Sequence, residues 1–249
     1  MDGRIEYVLR FGDNALVLGQ RLAKWLGHAP VLEEDVASAN ISLDLIGQAR
    51  LWLTLAGRLE GKGRDEDGLA YHRDQAEFRN FTLLELPNGD YAFTIVRRFL
   101  FDTWHCLALD ALSRSADSDI AAIAAKSRKE AQYHRHHSGD WLVRLGDGTG
   151  ESHARMQAAL EAQWRYTPEF FETDPVDRAM ADSRVGFDAA GLRPAWLAEV
   201  STVIGEATLE IPAGVKYVSH GKLGLHSEHL SYLLAEMQIL QRTHPNAKW

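Results

Sequence analysis

Apolar residues recur at helical spacing along almost the whole chain, and strict alternation over strand lengths is hard to find, so the reading is all-α. Tyr7, Phe11, Leu18 and Trp25 lie on one side of a first helix predicted from about Arg4 to Leu26, which stops at the breaker cluster Gly27-His28-Ala29-Pro30. A second helix, about Leu32 to Leu59, is apolar on nearly every face, as a central helix in a bundle is. The charged stretch Gly61 to Gly68 reads as a surface connection, followed by a short helical segment around Tyr71 to Phe81 and a turn at Pro87-Asn88-Gly89. Asp90 caps a third long helix that runs to about Ser113, and the stretch Ser115 to Asp119 caps a fourth that ends at Gly146.

The core bundle is therefore predicted over about residues 4–146 of a single domain, 1–249. Accessory helices follow at about Glu151 to Phe170, Pro175 to Ala181 with Asp174 as cap, Arg193 to Leu209, and Ser227 to Arg242, with short loops between them.

Composition narrows the possible partners. The 249 residues hold 35 acidic and 27 basic side chains, a formal charge of -8, which disfavours a phosphate-backbone ligand. The lone Cys106 forms no internal disulfide, and no apolar run reaches the ~18 residues needed to cross a bilayer, so a cytoplasmic protein with neither nucleic-acid nor membrane partner is expected.

Candidate chemistry lies in polar residues set within apolar stripes, because burial without a partner is costly. At ~100° per residue, Asp102 and His105 fall among Ile95, Phe99, Cys106 and Leu109. His134 falls among Ile123, Ala124, Ala131 and Trp141, with Glu130 one turn earlier at the stripe's edge. Asp44 lies beside Asn40 and Gly47, and Asn14 between Phe11 and Leu18. A di-iron centre in a four-helix bundle takes a Glu from each of two helices and a Glu-x-x-His from each of the other two. Asn14, Asp44, Asp102, His105, Glu130 and His134 imitate that set imperfectly, one acid short, with Tyr133 where the second motif needs its histidine. These residues form either a hydrogen-bonded network, neutralised by partners such as Arg21 or Arg50, or a metal site; a di-iron oxygenase, an iron-storage protein and a site for a less demanding ion stay open. His226-Ser227-Glu228-His229 reads as a surface segment with Ser227 as helix cap, His136 and His137 as solvated, and Cys106 as core.

Several runs carry a resemblance: Leu9-Arg10-Phe11-Gly12-Asp13-Asn14, Ala39-Asn40-Ile41-Ser42-Leu43-Asp44-Leu45-Ile46-Gly47-Gln48-Ala49-Arg50, Lys129-Glu130-Ala131-Gln132-Tyr133-His134 and Gly224-Leu225-His226-Ser227-Glu228-His229-Leu230. Together they resemble the C-subunit family of the bacterial phenylacetyl-CoA ring epoxidases, in the same order from about Tyr7 to Trp249. The resemblance implies a ferritin-like fold with additional C-terminal helices and a structural, non-catalytic subunit that has lost the iron ligands. It further implies no catalytic, cofactor-binding or metal-binding residue in this chain, and a homologous A subunit that carries the di-iron centre and binds the CoA thioester. A small B subunit and a flavin and iron–sulfur reductase complete the implied assembly, which epoxidises the aromatic ring of phenylacetyl-CoA. The alternative is that this chain is an active di-iron oxygenase subunit in its own right.

Overall fold

The structure, a computed structural model, describes residues 3–214, 217–245 and 247. It is all-α. Ten α-helices are found among the described residues: α1 (Gly3–Ala23), α2 (Leu32–Glu60), α3 (Glu66–Tyr71), α4 (Thr82–Glu85), α5 (Tyr91–Leu112), α6 (Ser118–Gly146), α7 (Gly150–Trp164), α8 (Pro175–Asp182), α9 (Arg193–Glu206) and α10 (Glu228–Thr243). Four long helices in two consecutive hairpins, with further helices after them, follow the element order of a ferritin-like fold. None of the described helices is long and apolar enough to cross a membrane.

The chain divides into two compact units, residues 1–87 with 220–249, and residues 88–219. In the first, α1 and α2 form an antiparallel hairpin. Their backbones come close at Gly19, where an added Cβ would lie 3.1 Å from Ile46 Cγ1 and 3.3 Å from the Ser42 carbonyl oxygen. The Ser42 hydroxyl donates to the Gly19 carbonyl at 2.8 Å, which satisfies a buried polar group at the crossing. The inward face of α2 is Ile41, Leu45, Gln48, Ala49 and Trp52, all buried. In the second unit α5 and α6 are antiparallel, with α7 and α9 packed against them. Asp90 caps α5 by accepting from the Phe93 N–H at 2.9 Å, and Asp117 caps α6.

Several boundaries differ from the sequence expectation. Of the helical segment expected around Tyr71 to Phe81, Tyr71 ends α3 and residues 72–81 hold only a 3₁₀ turn at Gln75–Glu77, because the Arg73 side chain and the Arg79 N–H are both drawn to Asp13 on α1. The long helix expected from Glu151 to Phe170 ends at Trp164, and a 3₁₀ turn, Thr167–Phe171, follows; Pro168 cannot supply the N–H that continuation needs. The connection read as Gly61 to Gly68 is shorter, since Asp65 caps α3 by accepting from the Gly68 N–H at 2.8 Å. Loops are not short throughout: no regular element is found among the described residues of 207–219.

Two glycines at the α1/α2 hairpin respond oppositely to substitution. Gly47 has nothing within 4 Å of an added Cβ, so Gly47→Ala is expected to stabilise the chain by about 0.5–1 kcal/mol. Gly19→Val is expected to cost about 1–3 kcal/mol by forcing the hairpin apart, and urea denaturation of both variants checks the contrast.

Candidate functional site

The second unit brings together three of the residues singled out by pattern. Asp102 and His105 on α5 and His134 on α6 are all buried. The Asp102 carboxylate accepts a hydrogen bond from the Ser138 hydroxyl at 2.9 Å and lies 3.7 Å from the Arg98 guanidinium, one turn earlier on the same helix. Burial pushes its pKa up, and Arg98, His134 and the Ser138 hydrogen bond oppose that shift. His105 stacks on Phe101 with ring centroids 5.0 Å apart. Burial, with the neighbouring His134 adding to it, lowers the His105 pKa from 6.5 to about 3, so its imidazole is neutral at physiological pH. Its buried Nδ1 has no hydrogen-bond partner.

The other three residues lie elsewhere. Glu130, one turn before His134, is half-buried. Asp44 is half-buried on α2 in the first unit, flanked by exposed Asn40 and Gly47, so the face that the helical wheel turned inward is largely an outward one. Asn14, also in the first unit, is buried, and its Oδ1 accepts from the Phe81 N–H at 2.7 Å. Its role is to fix the entry to α4.

This donor set does not fit a di-iron centre. Two irons with two histidines need about four carboxylates to supply oxygens and balance charge. The α5/α6 cluster offers one, Asp102, already facing a guanidinium cation. Among the described residues no three His, Cys, Asp or Glu side chains converge in a way that could hold a metal ion. Nor is there a nucleophile here, since burial raises the Cys106 thiol's pKa.

A second polar cluster, in the first unit, has no counterpart in the sequence reading. Asp13 on α1 receives both terminal nitrogens of Arg73 and the Arg79 N–H, the last at 2.8 Å. Arg73 also lies over the Phe78 ring, 4.3 Å from its centroid. Glu85 accepts from Asn80 Nδ2 at 2.9 Å and from the Ser227 N–H at 2.5 Å, while His226 Nδ1 sits 2.7 Å from its Oε2. The other ring nitrogen of His226 lies 3.0 Å from the Phe78 carbonyl oxygen. His226 therefore is not at the surface as expected; its side chain is fully buried and clasps the segment before α10 to the turn before α4. Ser227 does precede α10, but its side chain makes no capping bond.

Arg21 and Arg50 have partners outside the predicted cluster. Arg21 donates to the Glu85 and His229 carbonyl oxygens, and Arg50 pairs with Glu66 at 3.0 Å. His136 is exposed, 3.4 Å from Asp140, whereas His137 is half-buried with its Nδ1 3.3 Å from Arg98 Nη1.

The depressed His105 pKa makes stability pH-dependent. Between pH 6.5 and about 3 the unfolded chain binds a proton at this site that the folded chain does not. Its contribution is thus complete above 6.5 and is lost as pH falls, at up to about 1.4 kcal/mol per pH unit. Asp102, with a raised pKa, contributes the opposite slope over the interval between its unfolded and folded values. His105→Phe, which keeps a ring on Phe101, is expected to make the chain less sensitive to acid below pH 6.5 than the unsubstituted protein, as read by urea midpoints from pH 7 to 5. Arg73→Met is expected to cost about 3–5 kcal/mol at pH 7 because it strands the buried Asp13 carboxylate.

The sequence pattern of the phenylacetic acid catabolic protein family, PaaA_PaaC, matches residues 1–249. The chain is 51% identical over 243 residues to the C subunit of the 1,2-phenylacetyl-CoA epoxidase of Escherichia coli (strain K12), an alignment that covers 98% of each chain. With an all-helical structure and a match along its full length, the chain belongs to the phenylacetic acid catabolic protein family.

Proposed function

We infer that this chain is a structural, non-catalytic subunit of the multicomponent monooxygenase that epoxidises the aromatic ring of phenylacetyl-CoA in phenylacetate degradation. Its work is to stabilise and position a homologous catalytic partner, the A subunit, which holds the di-iron centre and the CoA thioester. A small B subunit and a flavin and iron–sulfur reductase act with that assembly, and this chain needs no cofactor of its own. The observation that carries the reading is Asp102: among the described residues it is the one buried carboxylate beside His105 and His134, and it faces the Arg98 guanidinium and accepts from Ser138. A carboxylate balanced in this way has little charge left for a metal. The high identity to a protein named as the C subunit of such an epoxidase supports the same assignment.

Metal analysis of the chain purified alone, and again after co-expression with its homologous partner, tests this. Iron is expected only in the complex, at about two atoms per heterodimer, and turnover with reductase only when both chains are present. About two irons in the lone chain, with turnover, would make it an oxygenase in its own right.

A further inference from the structure

The outward stripe of α2 is the least expected surface of the molecule. Leu32, Val36, Asn40, Leu43, Gly47, Arg50 and Thr54 follow one another at steps of three or four residues, so they share one side of the helix, and all seven are exposed. Leu32, Val36 and Leu43 are 74%, 53% and 65% exposed. From Leu32 to Gly47 the stripe carries no charge along about 22 Å of helix. Solvent-facing sides of helices are normally charged, and a helix that is apolar all round is normally buried.

Gly47 gives an independent indication. A glycine inside a helix costs about 1 kcal/mol relative to alanine, and here nothing within the chain stands within 4 Å of an added Cβ. No internal contact explains the missing side chain, whereas close approach of another backbone from outside does. The flanks indicate what approaches. Beside the stripe, between Leu32 and Ala49, the helix surface bears exposed Glu33 and half-buried Asp35 and Asp44 but no lysine or arginine, and Arg50, just beyond, is paired with Glu66. A second copy of the chain would set a net charge of -8 against -8, and an anionic lipid surface would be repelled in the same way.

We propose that the α2 stripe from Leu32 to Gly47 is the docking surface for a helix of a different protein chain, apolar along its centre, flanked by lysine or arginine, and closest to α2 at Gly47. This rests on the reading above that the chain works inside a heteromeric assembly; it adds the contact face and the chemistry of the helix that meets it.

The test titrates the full-length chain with the separately purified homologous partner and reads the dissociation constant by sedimentation or calorimetry. Leu43→Glu and Gly47→Gln sit in open positions and introduce good helix formers, so each variant is expected to melt no lower than the unsubstituted chain. Each is expected to weaken the complex by about 30-fold or more, while Glu161→Arg on α7, a control charge reversal, leaves it within about threefold. A complex that forms with undiminished affinity in both α2 variants overturns the docking surface and leaves the structural-subunit reading standing. Self-association of the unsubstituted chain that Leu43→Glu abolishes identifies a second copy as the occupant and also overturns the proposal. Failure of the unsubstituted chain to associate with the homologous partner at all overturns both.

Discussion

Asp13, Glu85 and Asp102 are buried carboxylates, and each is met by a side chain of the protein itself: Arg73, His226 and Arg98 respectively. An uncompensated charge in a protein interior costs several kcal/mol, so a buried acid in such a bundle must be neutralised by a metal, a proton or a protein cation. For these three the compensation comes from the protein's own side chains. Its polar groups thereby act as joints between segments distant in sequence. Asp13 and Asn14, adjacent on α1, between them hold Arg73, the Arg79 N–H and the Phe81 N–H, and so give shape to a segment that has little regular structure. Glu85 and His226, 141 residues apart, tie the start of α10 to the same region.

The same residue types could serve a redox centre or a scaffold, and what separates the two is how the charges are balanced. A neutral imidazole at His105, stacked on Phe101, and an Asp102 that faces Arg98 leave a packed cluster with a single carboxylate. Such an interior suits a protein whose contribution is shape. The outward side of α2 fits that role from the other direction, since it turns an apolar, uncharged surface to solvent where a self-contained bundle would carry charge.

Much of this is legible in the sequence. The four long helices can be read because their apolar periodicity extends over five or more turns, and Asp90 and Asp174 mark the starts of α5 and the short α8 by a local rule. His134 can be placed because α6 has a defined inward stripe, and Asp102 and His105 because α5 is buried on nearly every side. Asp44 cannot, because α2 is apolar on nearly every face and a helical wheel then gives little direction. Asp13 and His226 are hidden for a different reason. Their partners, Arg73 and Glu85, lie 60 and 141 residues away, and nothing in local spacing encodes a long-range ion pair. The one available signal is Asp13 itself, an acid in a stretch of α1 that is otherwise largely apolar. The irregular segment 72–81 reads as helix because its composition permits one, and the tertiary pull of Asp13 overrides that preference.

Whether the interior acids are balanced by protein cations is tested most directly by the urea midpoint of the chelator-treated chain, measured anaerobically at pH 7 with and without saturating ferrous iron. A ligand that binds the folded state alone must raise the midpoint by mass action. Balanced acids predict coincident unfolding curves. A midpoint that rises with iron and returns on chelation would contradict that balance, because the buried carboxylates would then be incompletely neutralised without the metal.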